Sequence, residues 1–270
     1  MSFETIDTAI DVIARNNVTV RGTGRPMVFA HGFGCSQGMW RLLTPYFDDH
    51  RTVLFDLVGA GDSDPSAYRR GKYDTLDGYA TDLLEILEAL DLHDVVFVGH
   101  SVSAMIGVLA ANRDPSRFGA LMLLSPSPHY LNDGDYLGGF EPDDIEQLLD
   151  ALDANHIAWS GSMAPIILNN PEAPALEIEL TDSFCSTDPA IARHFARVTF
   201  LSDNRDDLRA VTVPTLVMQS QDDLIAPTAV GEFVSAAIPG STLTYLPVKG
   251  HCPHLSGPHE VAAAIREFLG

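Results

Sequence analysis

The stretch VVFVGHSVSAMIG, residues 95–107, contains a serine in surroundings typical of a catalytic nucleophile. Four apolar residues lead into GHSVS, and small residues with helical spacing follow. This nearly matches G-x-S-x-G, the pattern in which a serine lies on a sharp turn between a strand and a helix. Ser103 replaces the second glycine of that pattern. Because serine is also small, we expect the turn to form with Ser101 as the nucleophile.

A serine hydroxyl becomes nucleophilic when a histidine takes its proton, and a carboxylate must orient that histidine. Candidates for both roles follow later apolar stretches: Asp222 and Asp223 come after TLVMQSQ, and His251 comes after TLTYLPVKG. The order serine, acid, histidine is that of α/β-hydrolase active sites, in which each residue lies on a loop after a strand. These features leave open which of the two aspartates is the acid.

Backbone N–H groups must stabilise the oxyanion that forms when a serine attacks a carbonyl group. One donor is usually the amide of the residue after the nucleophile, here Val102, and the other comes from an earlier loop. The sequence HGFG at 31–34 occupies such a loop, directly after the apolar stretch MVFA. We therefore predict an oxyanion hole formed by the N–H groups of Phe33 and Val102.

The elements that must position these residues alternate between short apolar strands and helices. This alternation predicts a mostly parallel sheet with helices on both faces, and catalytic residues at the carboxyl edge of the sheet. The rhythm is interrupted between 131 and 200, where helical patterns occur without a convincing strand. We predict a core formed by 1–130 and 201–270, with a helical lid inserted at 131–200. Within the lid, Asp188 and Pro189 are typical of the start of a helix.

Composition excludes several classes of function. The chain has 270 residues, 46% of them hydrophobic, and its formal net charge is −21. Such a chain can bury one sizeable core, and its charge disfavours nucleic-acid and membrane-surface partners. The amino-terminal residues 1–17 lack a signal-peptide pattern, and three widely spaced cysteines do not suggest a disulfide framework. These features predict a cytoplasmic protein.

The other histidines of the candidate loops are expected to have structural roles. We expect His31 and His100 to order their own loops, and His254 to form hydrogen bonds within its loop. His251, Cys252 and His254 are close enough in sequence to suggest a metal, but no fourth ligand has recognisable spacing. We therefore predict neither a metal nor a cofactor.

Several motifs together resemble the RsbQ family of α/β-hydrolases, which includes a bacterial stress-response regulator and the plant strigolactone and karrikin receptor hydrolases. The likeness extends over essentially the whole chain, in HGFGCSQGMW, LFDLVGAGDSD, TLDGYATDLLEILEALDL, GHSVSAMIG, SPSPHYLNDGDYLGGFE, FCSTDPAIARHFA, SDNRDDL and GHCPHLSGP. Serine at position 103 is what the plant receptors show. FCSTDPAIARHFA and GHCPH are more similar to the bacterial regulator.

The resemblance implies an α/β-hydrolase fold with a V-shaped lid of four helices over an apolar pocket. It implies Ser101 as nucleophile, His251 as base, and Phe33 and Val102 as oxyanion donors. It also selects Asp223 as the acid, because relatives place the acid four residues before a proline, here Pro227. The pocket residues implied by the resemblance are Trp159, Met163, Phe184 and Phe200; the alternative is that these four only pack the lid.

Two functions remain open at this point. The first is a serine hydrolase that cleaves small apolar esters or lactones through an acyl-enzyme. The second is a signalling protein that binds or slowly hydrolyses a small ligand and activates a partner, which in the bacterial relatives would be a phosphatase. The triad does not separate them, because the resemblance implies it in both.

Overall fold

A seven-stranded sheet organises the chain, of which the computed structural model describes residues 12–270. The strand order is β1-β3-β2-β4-β5-β6-β7; β1 pairs with β3 in antiparallel fashion, and all other neighbours are parallel. The strands are β1 (Thr19–Arg21), β2 (Pro26–Ala30), β3 (Arg51–Phe55), β4 (Val95–His100), β5 (Phe118–Leu124), β6 (Thr215–Gln221) and β7 (Thr242–Lys249).

Helices cover both faces of this sheet, which explains why its central strands are almost entirely apolar. Every residue of β4 is buried. One face packs against α1 (Leu76–Ala89), α2 (Val102–Arg113) and α7 (Thr228–Ala237), and the other packs against α9 (Pro258–Leu269). A short helix, α8 (Pro253–Ser256), precedes α9. The predicted α/β-hydrolase fold, with a mostly parallel sheet between helical layers, is confirmed.

Four helices are inserted between β5 and β6, as predicted, and pack above the carboxyl edge of the sheet. They are α3 (Pro142–Ala154), α4 (His156–Leu168), α5 (Pro174–Ser186) and α6 (Pro189–Phe200). Asp188 caps α6, since its carboxylate accepts the N–H groups of Ala190 and Ile191 at 2.8 and 3.1 Å. The predicted start of this helix is therefore confirmed. Residues 131–141, which precede α3, form a loop with isolated bridges.

No helix within residues 12–270 combines the length and the apolar character that crossing a bilayer requires. The prediction that the amino terminus lacks a signal peptide concerns residues 1–17, of which 1–11 lie outside the described residues.

Candidate active site

The turn between β4 and α2 has the strained backbone of a nucleophile elbow. Ser101 adopts φ +56° and ψ −125°, a conformation that costs free energy for any residue except glycine. Its N–H donates to the carbonyl oxygen of Leu124 at 2.9 Å, which anchors the turn to β5. Strand and helix approach so closely that a Cβ atom at Gly99 would lie 2.6 Å from the carbonyl oxygen of Ser103. The predicted turn therefore forms with serine at position 103.

Three buried side chains form a continuous hydrogen-bonded chain at the carboxyl edge of the sheet. The Ser101 Oγ lies 2.7 Å from the His251 Nε2, and the His251 Nδ1 lies 2.8 Å from the Asp223 Oδ2. The side chain of His251 is 5% exposed and that of Asp223 is fully buried. This geometry allows His251 to take a proton from Ser101 while Asp223 orients its ring.

The His251 ring, together with two backbone N–H groups, explains why Asp223 stays ionised although it is buried. Burial alone would raise the pKa of Asp223, but the His251 ring and the N–H groups of Ala226 and Ile225 outweigh it and lower the pKa. Both N–H groups donate to the Asp223 Oδ1 at 2.9 Å. Asp222, by contrast, extends outward, and its carboxylate contacts the Lys249 Nζ at 3.0 Å. Of the two aspartates, it is Asp223 that contacts His251.

The loop of His251 is held by two groups from other parts of the chain. The His251 N–H donates to the carbonyl oxygen of Ile167 in α4 at 2.8 Å. The His100 Nε2 donates to the carbonyl oxygen of His251 at 2.7 Å. Burial, followed by the nearby His251, lowers the pKa of His100 to about 3, so its ring is neutral. The expectation that His100 orders its own loop was wrong, because its partner lies 151 residues further along the chain.

His254 also differs from its prediction. Its ring packs against Trp40 and His100 with centroid distances of 4.6 and 4.4 Å. Its buried Nδ1 has no hydrogen-bond partner among residues 12–270. His254 therefore fills space beneath the site and was wrongly predicted to bond within its loop.

The HGFG loop lies beside the elbow because β2 and β4 are neighbours, with Ala30 opposite Gly99. His31 orders this loop, as predicted: its Nδ1 lies 2.9 Å from the Gly32 carbonyl oxygen, and its Nε2 accepts the Leu57 N–H at 3.1 Å. Because Nε2 is an acceptor, the proton of the neutral ring is on Nδ1. Burial lowers the pKa of His31 and keeps this ring neutral. The loop approaches the elbow at Gly32, where an added Cβ atom would lie 3.4 Å from the Ser101 Cβ, and Phe33 is the next residue.

An apolar cavity of about 30 Å³ lies between Ser101 and the lid. Trp159, Met163, Phe184 and Phe200 all line it, so the four residues implied by the family resemblance meet at one place. The ring of Phe33 faces the same group, with centroid distances of 6.1 Å to Trp159, 6.2 Å to Phe184 and 6.0 Å to Phe200. Phe33 therefore contributes its ring to the lid contact as well as its backbone to the loop.

Tyr130 is a cavity residue that sequence reasoning missed. Its hydroxyl lies 3.4 Å from the Ser101 Oγ, and burial raises the pKa of Tyr130, so the phenol remains protonated. Its position could have been inferred, because it follows β5, the strand next to β4.

The described residues contain no cluster of three or more histidine, cysteine or acidic side chains that could hold a metal ion. His251, which is close in sequence to Cys252 and His254, has both ring nitrogens engaged by Ser101 and Asp223. Cys35, Cys185 and Cys252 are free thiols.

Comparisons with known proteins agree with this architecture. Residues 27–264 match a family model described as the alpha/beta hydrolase family. The chain is 40% identical to strigolactone esterase D14 of Arabidopsis thaliana, over 96% of this chain and 98% of the relative. It is 39% identical to karrikin insensitive 2 receptor CA of Petunia hybrida, over 94% and 95%. The solved structure of a hydrolase from Oleispira antarctica is similar, with a TM-score of 0.94, 39% identity and 97% of both chains covered.

Proposed function

The chain belongs to the α/β-hydrolase family, and on that premise we propose that it is a serine hydrolase that cleaves small apolar esters or lactones. The observation that carries this proposal is the hydrogen-bonded chain from Ser101 through His251 to Asp223 beneath an apolar cavity. This combination suits an esterase or lactonase, because the triad activates the serine hydroxyl and the apolar cavity can hold a small apolar substrate against it.

In the proposed mechanism the Ser101 Oγ attacks the carbonyl carbon while the His251 Nε2 takes the hydroxyl proton. The backbone N–H groups of Phe33 and Val102 stabilise the oxyanion of the tetrahedral intermediate. Its collapse breaks the bond to the leaving oxygen, which receives the proton from His251, and an acyl group remains on Ser101. A water molecule then attacks the acyl group with His251 again as base, and this releases the acid and restores Ser101. Asp223 orients His251 and stabilises its charged form throughout.

The lining of the cavity supports a small, neutral substrate. Apart from the triad, the hydroxyl of Tyr130 lies 3.4 Å from the Ser101 Oγ, and aromatic and aliphatic side chains form most of the wall. Pockets of this kind bury most of a ligand and orient it through few polar contacts. The relative described as a strigolactone esterase supports a lactone-bearing compound as one such substrate.

An ester-hydrolysis assay combined with intact-mass analysis tests this function. The wild type should hydrolyse a short-chain aryl ester, and a serine-directed inhibitor should add one adduct to Ser101. Ser101→Ala should lose about four or more powers of ten in kcat, because only the oxyanion donors and binding remain. Unchanged turnover in Ser101→Ala would remove Ser101 from the role of nucleophile.

A second candidate is a ligand-sensing signalling protein of the RsbQ type, and one structural observation favours it. The end of α4 forms hydrogen bonds with two of the three triad loops, those of His251 and Asp223: the Ile167 carbonyl oxygen accepts the His251 N–H at 2.8 Å, and the Asn169 Nδ2 donates to the Asp222 carbonyl oxygen at 3.1 Å. Ile167 also lines the cavity. A ligand there would therefore contact the lid and the catalytic loops together, and could change the surface that a partner phosphatase recognises.

The two candidates differ in what the ligand does to a partner. For the signalling protein, a candidate phosphatase should gain activity when this protein and a lactone ligand are added together, while the lactone itself is hydrolysed slowly. For the metabolic enzyme, turnover of small esters should be rapid and the phosphatase should not respond.

Charge and thiols support a cytoplasmic protein that acts on a small molecule. A net charge of −21 repels nucleic acid and anionic lipid. Free thiols at all three cysteines are typical of a reducing compartment.

A further inference from the structure

We propose that Ser103 is a positioning residue of the oxyanion hole, and this proposal rests on the proposed function. Ser103 occupies the place of the second glycine in G-x-S-x-G, and its side chain is completely buried at the start of α2. Its hydroxyl donates a hydrogen bond to the carbonyl oxygen of His31, 72 residues earlier in the chain. Small size alone would not require this bond, which joins the elbow to the HGFG loop.

The bond acts on the backbone directly before the proposed oxyanion donor. Two consecutive carbonyl groups precede the Phe33 N–H, those of His31 and Gly32. Ser103 donates to the first, and the His31 Nδ1 donates to the second at 2.9 Å. The Gly32 carbonyl and the Phe33 N–H belong to one planar peptide, so fixing the carbonyl also fixes the direction of the N–H. The hydroxyl of Ser103 fixes the peptide before it, and the two bonds together set where the Phe33 N–H points.

The position of α2 makes the bond relevant to catalysis. Ser103 is two residues after the nucleophile and one residue after Val102, the other proposed donor. The hydroxyl therefore sets the spacing between the helix that carries one donor and the loop that carries the other. An oxyanion hole works when its donors lie about 2.7–3.1 Å from the developing charge, so a small displacement of either element reduces the rate.

Removing the hydroxyl leaves a buried carbonyl group without this donor. Ser103 is a side-chain donor to the His31 carbonyl oxygen, and a buried acceptor that loses its partner favours rearrangement of its peptide. Alanine removes the hydroxyl and nearly keeps the volume. Glycine restores the common G-x-S-x-G pattern, which the fold accommodates, so it provides a second variant that should fold.

Steady-state kinetics of Ser103→Ala and Ser103→Gly test the proposal. In both variants we expect kcat for a short-chain aryl ester to fall by about five- to thirty-fold with KM within about twofold. The inhibition constant of an alkyl boronic acid, which mimics the tetrahedral intermediate on Ser101, should rise by a similar factor. The pH profile of kcat should keep its shape, because His251 and Asp223 are not displaced.

Ser125→Ala is the matched control. Ser125 is also fully buried and lies just after β5, where its hydroxyl is 3.1 Å from that of Ser220. This change deletes a buried hydroxyl from the same edge of the sheet and should leave kcat and boronic acid binding within about twofold.

Comparing the kinetics of the wild type, Ser101→Ala and Ser103→Ala separates this proposal from the proposed function. If the wild type hydrolyses esters and Ser101→Ala does not, the function stands, and wild-type kcat in Ser103→Ala would overturn the role of Ser103. A fall in kcat without weaker boronic acid binding, or with a shifted pH profile, would also overturn it, because either result assigns the effect to something other than the oxyanion hole.

Discussion

The core and the lid position their functional residues by different means. In the core, Ser101, Asp223 and His251 each follow a strand of the parallel sheet, namely β4, β6 and β7. The ladder of backbone hydrogen bonds fixes the ends of these strands relative to one another. In the lid, Trp159, Phe184 and Phe200 come from three different helices. Trp159 and Phe184 pack against each other, and all three rings pack against the ring of Phe33.

Because of this difference, we expect the core to determine the catalytic rate and the lid to determine the affinity for the ligand. Catalysis depends on distances of 2.7–2.8 Å within the triad, and only a backbone-fixed framework maintains such distances. Binding of an apolar ligand depends mainly on buried area, which tolerates small displacements. Substitutions in the core should therefore lower kcat, whereas substitutions of cavity residues in the lid should mainly weaken binding.

Several contacts join the two regions. The Tyr68 hydroxyl lies 2.5 Å from the His194 Nδ1 of α6, and the His194 Nε2 lies 2.9 Å from the Asp74 Oδ1. On another side, the Ser183 Oγ of α5 donates to the Gly34 carbonyl oxygen at 2.8 Å. Hydrogen bonds therefore connect the lid to the core at the HGFG loop as well as at His251.

Of the substitutions that compare the core with the lid, Asp223→Asn in the core should have the largest effect. The amide keeps the shape of the carboxylate but favours the wrong tautomer of His251, which costs about four powers of ten in a serine protease. We expect kcat to fall by about a hundredfold or more, with little change in KM. Initial rates with a short-chain ester, together with circular dichroism to verify folding, measure this effect.

Asp222→Asn is the control for this prediction. It makes the same chemical change one residue earlier, where the carboxylate contacts Lys249 at 3.0 Å and is exposed. This carboxylate does not contact His251, and its exposed ion pair with Lys249 contributes little to stability. We therefore expect kcat to change by less than about threefold. The opposite ranking of the two variants would assign the acid to Asp222.

An intermediate effect is expected for Trp159→Ala in the lid. Trp159 lines the cavity and packs against Phe33 and Phe184. Its removal deletes apolar area that a ligand would contact, and we expect Kd for an apolar ligand to rise by about tenfold or more. Titration monitored by calorimetry measures this change, using Ser101→Ala as background so that the ligand is not hydrolysed.

Leu152→Ala provides the control within the lid. Leu152 is completely buried in α3 and belongs to the same apolar cluster, but it does not line the cavity. The substitution should destabilise the fold by about 2–5 kcal/mol while Kd stays within about twofold. Equal Kd values for Trp159→Ala and the wild type would show that Trp159 only packs the lid.

The core was predictable from the sequence because its signals are local. Each triad residue directly follows an apolar strand, so chain order and strand pattern were sufficient to propose Ser101 and His251. The choice of Asp223 over Asp222 required the proline spacing of relatives. The donors to the carbonyl groups of His31 and His251 could not be predicted, because Ser103 and His100 lie 72 and 151 residues from these partners.

The lid was less predictable because its helices do not all show one apolar face. In α4, the segment HIAWSGSMAPIIL has apolar residues on every side and contains Pro165, so its pattern does not indicate which face meets the cavity. Ile157 of α4 and Ile178 of α5 are in fact exposed. The pocket residues therefore came from the family resemblance, and the domain boundaries at 131 and 200 stay a prediction.

The smallest effect concerns acid stability, which should depend mainly on the core. Burial lowers the pKa of His31, His100 and His254 in the core, and that of His156 in the lid. Below the ordinary pKa of 6.5, the unfolded chain therefore binds protons that the folded chain does not. The free energy of unfolding should be unaffected by these groups above pH 6.5 and should fall as pH decreases from 6.5 towards about 3, the value for His100.

His254→Phe isolates one of these protons. The ring of His254 packs between Trp40 and His100, and its Nδ1 has no hydrogen-bond partner among residues 12–270, so phenylalanine suits the site. Between pH 6 and 5, the slope of the unfolding free energy against pH should be smaller in the variant by about 1.4 kcal/mol per pH unit, the value of one proton. Urea unfolding at half-unit steps of pH measures both slopes, which should be parallel between pH 7.5 and 8.5. Identical slopes between pH 6 and 5 would mean that His254 has the same pKa in the folded and unfolded chains. The acid sensitivity would then have to come from other histidines.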